Sequence, residues 1–144
     1  IRALEVHHVT GDLISERQRK SPPPYEVMQI GLTLPRARLY RRIDERVDEM
    51  LRRGLMEEVR ALRARGYADD LPSMSGLGYK QVAQHLRGEV ALPEATQRLK
   101  FDTHHFARRQ YTWFHLDDPN IAWFEAEPEP FSDVAEAVNL FLRT

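Results

Sequence analysis

Asp102-Thr103-His104-His105-Phe106-Ala107-Arg108-Arg109-Gln110-Tyr111-Thr112-Trp113-Phe114 is a helical run. Pro93 opens the pattern, because proline suits a first helical turn, and the pattern continues to about His115. This is the longest of several predicted helices, and with them the chain reads as mainly α with a few β-strands. The long helix also carries chemistry: Arg98, Lys100, Arg108 and Arg109 are permanent cations, and His104 and His105 add charge when protonated. Lys100, His104 and Arg108 are spaced i, i+4, i+8 and are predicted to share a face. Guanidinium groups match phosphate geometry and flat rings offer stacking surface, so the combination points to RNA. The plainer alternative is an ordinary solvated face with arginine stems over apolar surface. Tyr111, Trp113 and Phe114 could stack on bases, but aromatics at helical spacing favour a place in the core.

The remaining elements follow from the same reading. Ile1 to about Val9 is helical and stops near Gly11, and Asp12 is suited to cap a short helix to about Arg19. Ser21-Pro22-Pro23-Pro24 must be extended. Tyr25–Thr33 is rich in strand formers. Pro35 introduces a helix with Leu39, Ile43, Val47 and Leu51 on its apolar side, and Leu55, Val59 and Leu62 continue beyond a break at Gly54. A turn at 73–78 leads into a helix to about Leu86. Ile121–Phe124 is a short strand, and Ser132 is suited to cap a last helix that buries Val134, Val138, Phe141 and Leu142. The chain divides into residues 1–35 (helix, Pro-rich link, core strand), a helical region 36–115, and an acidic strand and helix at 116–144.

A chain of 144 residues, 42% hydrophobic and 30% charged, has the composition of one globular domain. With no cysteine there is no disulfide and no thiolate metal site, which suits a cytoplasmic setting. Charges interrupt every apolar run too early for a membrane-spanning helix. The net charge of −1 hides an asymmetry: residues 1–115 hold 20 Lys/Arg against 15 Asp/Glu, and residues 116–144 hold one against seven. A basic body with an acidic tail suits binding of a polyanion on one side. The adjacent pairs His7-His8 and His104-His105 cannot converge on one helical face, and no zinc-type spacing occurs, so no metal site is expected.

Several segments, in order, resemble the tRNA dimethylallyltransferases (tRNA isopentenyltransferases). Arg2-Ala3-Leu4-Glu5-Val6 with Thr10-Gly11 is similar to their R-A-L-E-V…T-G. Ile30-Gly31-Leu32 and Leu39-Tyr40-Arg41-Arg42-Ile43-Asp44-Glu45-Arg46-Val47-Asp48-Glu49-Met50-Leu51 resemble I-G-L…L-Y-x-R-I-x-x-R-V-x-x-M-L. Gly76-Leu77-Gly78-Tyr79-Lys80 resembles G-[IVL]-G-Y-[KR], and the long helix resembles T-x-x-x-A-[KR]-R-Q-x-T-W-[FL]. Members of that family open with a phosphate-binding P-loop followed by a catalytic Asp, and no G-x-x-x-x-G-K-[ST] occurs in this sequence. The chain is therefore expected to be the C-terminal helical portion of an α/β, P-loop NTPase-like transferase, inactive without the N-terminal half.

The resemblance implies transfer of a dimethylallyl group from dimethylallyl diphosphate to the exocyclic amine of the adenosine 3′ to the anticodon, in tRNAs reading codons that begin with U. Mg²⁺ would be held mainly by the other half. Among the residues, it implies a role for Arg46 near the diphosphate, with Arg42 as the alternative. It also implies tRNA contacts at Arg2, at Ser75, Gly76, Leu77, Gly78, Tyr79 and Lys80, and at Asp102, Thr103, His104, His105, Phe106, Ala107, Arg108 and Arg109. Members often carry Arg-Gln where this chain has His104-His105, which would make binding there depend on pH. Arg38, on the same helical face as Arg42 and Arg46, reads as solvated. Expected partners are the tRNA anticodon stem-loop, dimethylallyl diphosphate and the P-loop half, with no membrane, and the protein is expected to be a monomer. Two other readings stand: an adenylate isopentenyltransferase acting on free AMP or ATP, and a non-catalytic helical RNA-binding module.

Overall fold

A computed structural model describes residues 2–17 and 24–143. Residues 18–23, which include the expected end of the second helix and all but Pro24 of the Pro-rich link, lie outside them. In chain order the elements are α1 (Arg2–Thr10), α2 (Ile14–Arg17), β1 (Gln29–Thr33), α3 (Arg36–Arg52), α4 (Leu55–Ala64), α5 (Tyr79–Leu86), α6 (Leu92–Gln110), β2 (Ile121–Glu125) and α7 (Phe131–Phe141). The fold is mainly helical with two strands.

Helices α3 to α6 form a bundle because each presents one apolar stripe. Val47, Leu55, Val59, Met74, Val82, Ala83 and Leu99 make its core, with Met50, Leu51 and Leu86 packed around them. The spacing of Val47, Leu55 and Val59 in the sequence is what sends them inward. Gly54 separates α3 from α4.

The strands pair in parallel, Gln29 opposite Ile121 through Thr33 opposite Glu125. A parallel pair needs a crossover, and here the crossover is the bundle itself. The Trp123 ring lies over Gly31, where a β-carbon would stand 2.4 Å from the indole, so only glycine permits this strand contact. The Trp123 indole N–H donates to the His115 carbonyl at 3.1 Å.

Four expectations are corrected. The first strand is confined to Gln29–Thr33, so residues 25–28 do not extend it. The long helix ends at Gln110, and Tyr111 to Phe114 continue as turns. Trp113 is 82% and Phe114 54% exposed. They are not core, because beyond the end of the helix they no longer follow its buried stripe. In α7 the helix starts at Phe131 with no side-chain cap, so Ser132 falls inside the first turn. Val134, Val138 and Phe141 are half-buried, but Leu142 is exposed because it follows the last helical residue.

Candidate nucleic-acid interface

Helix α6 distributes its charged side chains by angle. Each i+4 step overshoots a full turn by roughly 40°, so Lys100, His104 and Arg108 spiral rather than align. Lys100 turns towards α3, where its ammonium lies 2.7 Å from Asp48 Oδ1. His104 also faces α3, with Nε2 2.9 Å from Asp44 Oδ1 and its ring stacked on Tyr40 at 4.1 Å and 6°. The predicted three-residue face is therefore corrected. Two of its members bind α3, and Arg108 is exposed. Arg109 is exposed too, and forms no ion pair among the described residues. Thr103 donates to the Leu99 carbonyl at 2.7 Å, Ala107 lines the cavity beside the sheet, and Phe106 is 49% exposed.

The turn at 75–80 is built from inside. Gly78 adopts φ +98°, a left-handed conformation that glycine alone takes without strain. Its N–H donates to Gln81 Oε1 at 3.0 Å, and Gln81 Nε2 donates to Asp102 Oδ2 at 2.8 Å. Gln81 is 2% exposed. One buried amide thus ties the glycine turn to α6, joining the segments 75–80 and 102–109. Sequence reading missed Gln81, although a Gln three residues after a helix-capping position is a recognisable signal. Ser75 donates to the Pro72 carbonyl at 2.8 Å, and Leu77 is 44% exposed. The Tyr79 hydroxyl donates to Glu58, and that bond holds the phenol above its ordinary range. Lys80 is exposed on the outer side of the turn, and Arg2 is exposed on α1.

Gln81→Leu should cost about 2 kcal/mol of stability, since the Gly78 N–H and the Asp102 carboxylate both lose a buried partner. Urea denaturation of the full-length protein measures it; a loss below about 0.5 kcal/mol would mean that solvent replaces both bonds.

The third feature is the arginine row of α3. Arg38 lies 3.6 Å and Arg42 3.4 Å from carboxylate oxygens of Glu127, and Arg38 also reaches Glu125 at 3.9 Å. Arg38 is thus paired as well as solvated. Arg46, one turn further on, is exposed and forms no ion pair among the described residues. It lines an open cleft of 810 Å³ with Leu39, Arg42, Ile43 and Met50. A second cavity, of 510 Å³, lies between the strands and the end of α6 and is lined by Gly31, Leu32, Tyr111, Phe114 and Trp123 among others. Tyr111 Oη and Thr33 Oγ1 approach within 3.4 Å at its rim. Among the described residues no three His, Asp or Glu side chains converge to hold a metal. No described helix is long and apolar enough to cross a membrane.

A helical bundle inserted between adjacent parallel strands, with cations on α3 and α6 that form no ion pair among the described residues, is the helical portion of an α/β protein. The IPP transferase family model matches residues 1–117, and the chain belongs to that family. The tRNA dimethylallyltransferase of Dehalococcoides mccartyi is 48% identical over 142 residues, covering 99% of this chain and 44% of the relative. That of Roseiflexus castenholzii is 51% identical over 138 residues, covering 96% and 45%. The full-length tRNA isopentenylpyrophosphate transferase of Bacillus halodurans superposes with a TM-score of 0.74 at 36% identity, covering 98% of this chain and 43% of that one. The chain spans less than half the length of these relatives.

Proposed function

We propose that this chain is the RNA-gripping part of a cytoplasmic tRNA dimethylallyltransferase and contributes one diphosphate-binding arginine to its reaction. The observation that carries the catalytic side is the contrast along α3: Glu127 pairs with both Arg38 and Arg42, whereas Arg46, which lines the open cleft, forms no ion pair among the described residues. The relatives named above are tRNA dimethylallyltransferases, which supports tRNA as substrate.

In the proposed reaction the exocyclic amine of adenosine attacks C1 of dimethylallyl diphosphate. A C–N bond forms as the C–O bond breaks, and the electron pair leaves with the diphosphate. Arg46 acts there, because fixed positive charge on the departing oxygens stabilises the transition state more than the ground state. The amine proton goes to an Asp of the P-loop half, and Mg²⁺ bound in that half would supply further charge on the diphosphate. A base stacked in the anticodon loop cannot reach a buried donor, so the adenosine 3′ to the anticodon is extruded into the enzyme. Arg108, Arg109 and Lys80 hold the surrounding phosphates. The tRNAs that read codons beginning with U are the proposed substrates.

The test uses the full-length protein, labelled dimethylallyl diphosphate, and either tRNA or AMP. Label in tRNA, at the adenosine 3′ to the anticodon, is expected. Label in AMP alone would sink the reading in favour of an adenylate isopentenyltransferase, and RNA binding without transfer would favour a non-catalytic module. The grip has its own test. Arg108→Ala with Arg109→Ala should weaken binding to an anticodon stem-loop and lower the slope of log K against log salt by about 1 to 2. An unchanged slope would remove both arginines from the phosphate contacts.

A further inference from the structure

The side of α6 turned away from the bundle holds an aromatic ring, Phe101, that neither packing nor the proposed phosphate contacts use. Phe101 lies two residues beyond the buried Leu99, roughly 200° around the helix, and is 60% exposed. Its neighbours on that side are polar: Glu94, Gln97, Arg98, His105 and Arg108. The ring contact it makes is with His105, at 4.4 Å between centroids and 54° between planes. Arg108 Nη2 lies 3.2 Å from His105 Nδ1, so ring, ring and guanidinium follow one another along the helix. The carboxylates nearest in sequence are occupied, Glu94 by Arg98 at 2.6 Å and Asp102 by Gln81 at 2.8 Å. This outward strip is apolar and flat at one end and cationic at the other.

We propose that Phe101, braced by His105, is a stacking platform for one unpaired RNA base, with Arg108 taking the adjoining phosphate. The proposal rests on the RNA-binding reading above and deepens it. A base covers the exposed face of a phenyl ring whatever its identity, and a nucleotide's phosphate lies within reach of a guanidinium two helical turns along. Charge favours this occupant over an acidic or purely apolar protein segment, because a base brings its own anion to Arg108. Phe101 would therefore strengthen the grip without selecting sequence.

The experiment is a double-mutant cycle in the full-length protein with anticodon stem-loops, read by fluorescence anisotropy. Each loop position is made abasic in turn. One abasic position should weaken binding about tenfold in the unsubstituted protein and have no effect in Phe101→Ala. Phe101→Ala itself should raise Kd about tenfold, leave the salt slope unchanged, and be rescued by Phe101→Trp. Unchanged RNA affinity in Phe101→Ala would overturn the platform. So would a lowered Tm with RNA affinity intact, which would assign the ring to packing against the rest of the protein. Failure of the unsubstituted protein to bind RNA would overturn the RNA-binding reading and this proposal together, whereas binding that ignores Phe101 overturns only the platform.

Discussion

Arg46→Ala in the full-length enzyme is expected to lower kcat by roughly a hundred- to a thousandfold, the range for removing one preorganised group from a developing anion. Affinity for tRNA should change little. The expectation follows from position on α3. Arg38 and Arg42 already share Glu127, and a guanidinium so occupied is poorly placed to receive a diphosphate. Arg46 forms no ion pair among the described residues, and of the carboxylates lining its open cleft Glu49 is held by Arg52 and Arg53. Single-turnover measurement with labelled dimethylallyl diphosphate separates the cases. Equal losses in turnover and tRNA affinity would move Arg46 to the RNA. A larger kinetic loss for Arg42→Ala than for Arg46→Ala would give the diphosphate role to Arg42 and mean that Glu127 orients it.

The second large effect is on stability. Leu99 is 2% exposed and lies in the core shared by α3, α4, α5 and α6. Leu99→Ala should cost about 3 kcal/mol, combining lost apolar transfer with a cavity that the four helices cannot fully close. Urea unfolding of the full-length protein gives the value, with Leu142→Ala as the control. Leu142 is 74% exposed, and its truncation should stay within about 0.5 kcal/mol. A Leu99→Ala cost near 1 kcal/mol would mean that α6 settles onto α5 and refills the space.

The helices were legible because their stripes are regular. Val47, Leu55 and Val59 could be placed inward from spacing alone, and the break at Gly54 followed from its residue type. The ends were less legible. A wheel drawn past Gln110 keeps assigning faces to Trp113 and Phe114 after the helix has stopped, and the same error put Leu142 inside. Within the candidate interface, the grouping of Lys100, His104 and Arg108 failed for two reasons. An i+4 ladder drifts around the helix, and the groups that hold its first two members, Asp48 for Lys100 and the Tyr40 carbonyl and ring for His104, lie on another helix, more than 50 residues away. Spacing along one element cannot reveal which element sits opposite. Gln81 was missed although its place three residues after the capping Gly78 is a sequence signal; only its bond to Asp102, 21 residues on, needs the fold to reveal it. The family motifs identified the segments of interest. The structure adds which way their side chains point.

The parallel pairing of β1 with β2 bears on the order of assembly. Residues 34–120 separate strands that end as immediate neighbours. Closing so long an interval is entropically expensive for an unstructured chain. It is much less so once α3 to α6, whose turns connect sequence neighbours, have shortened the path between Thr33 and Ile121. The bundle is thus expected to form before the sheet, because its contacts close shorter loops. Until β1 and β2 meet, neither has the other's backbone groups as partners, and Ile30 and Leu32 of β1, exposed in this chain, are the apolar side chains most open to wrong pairing.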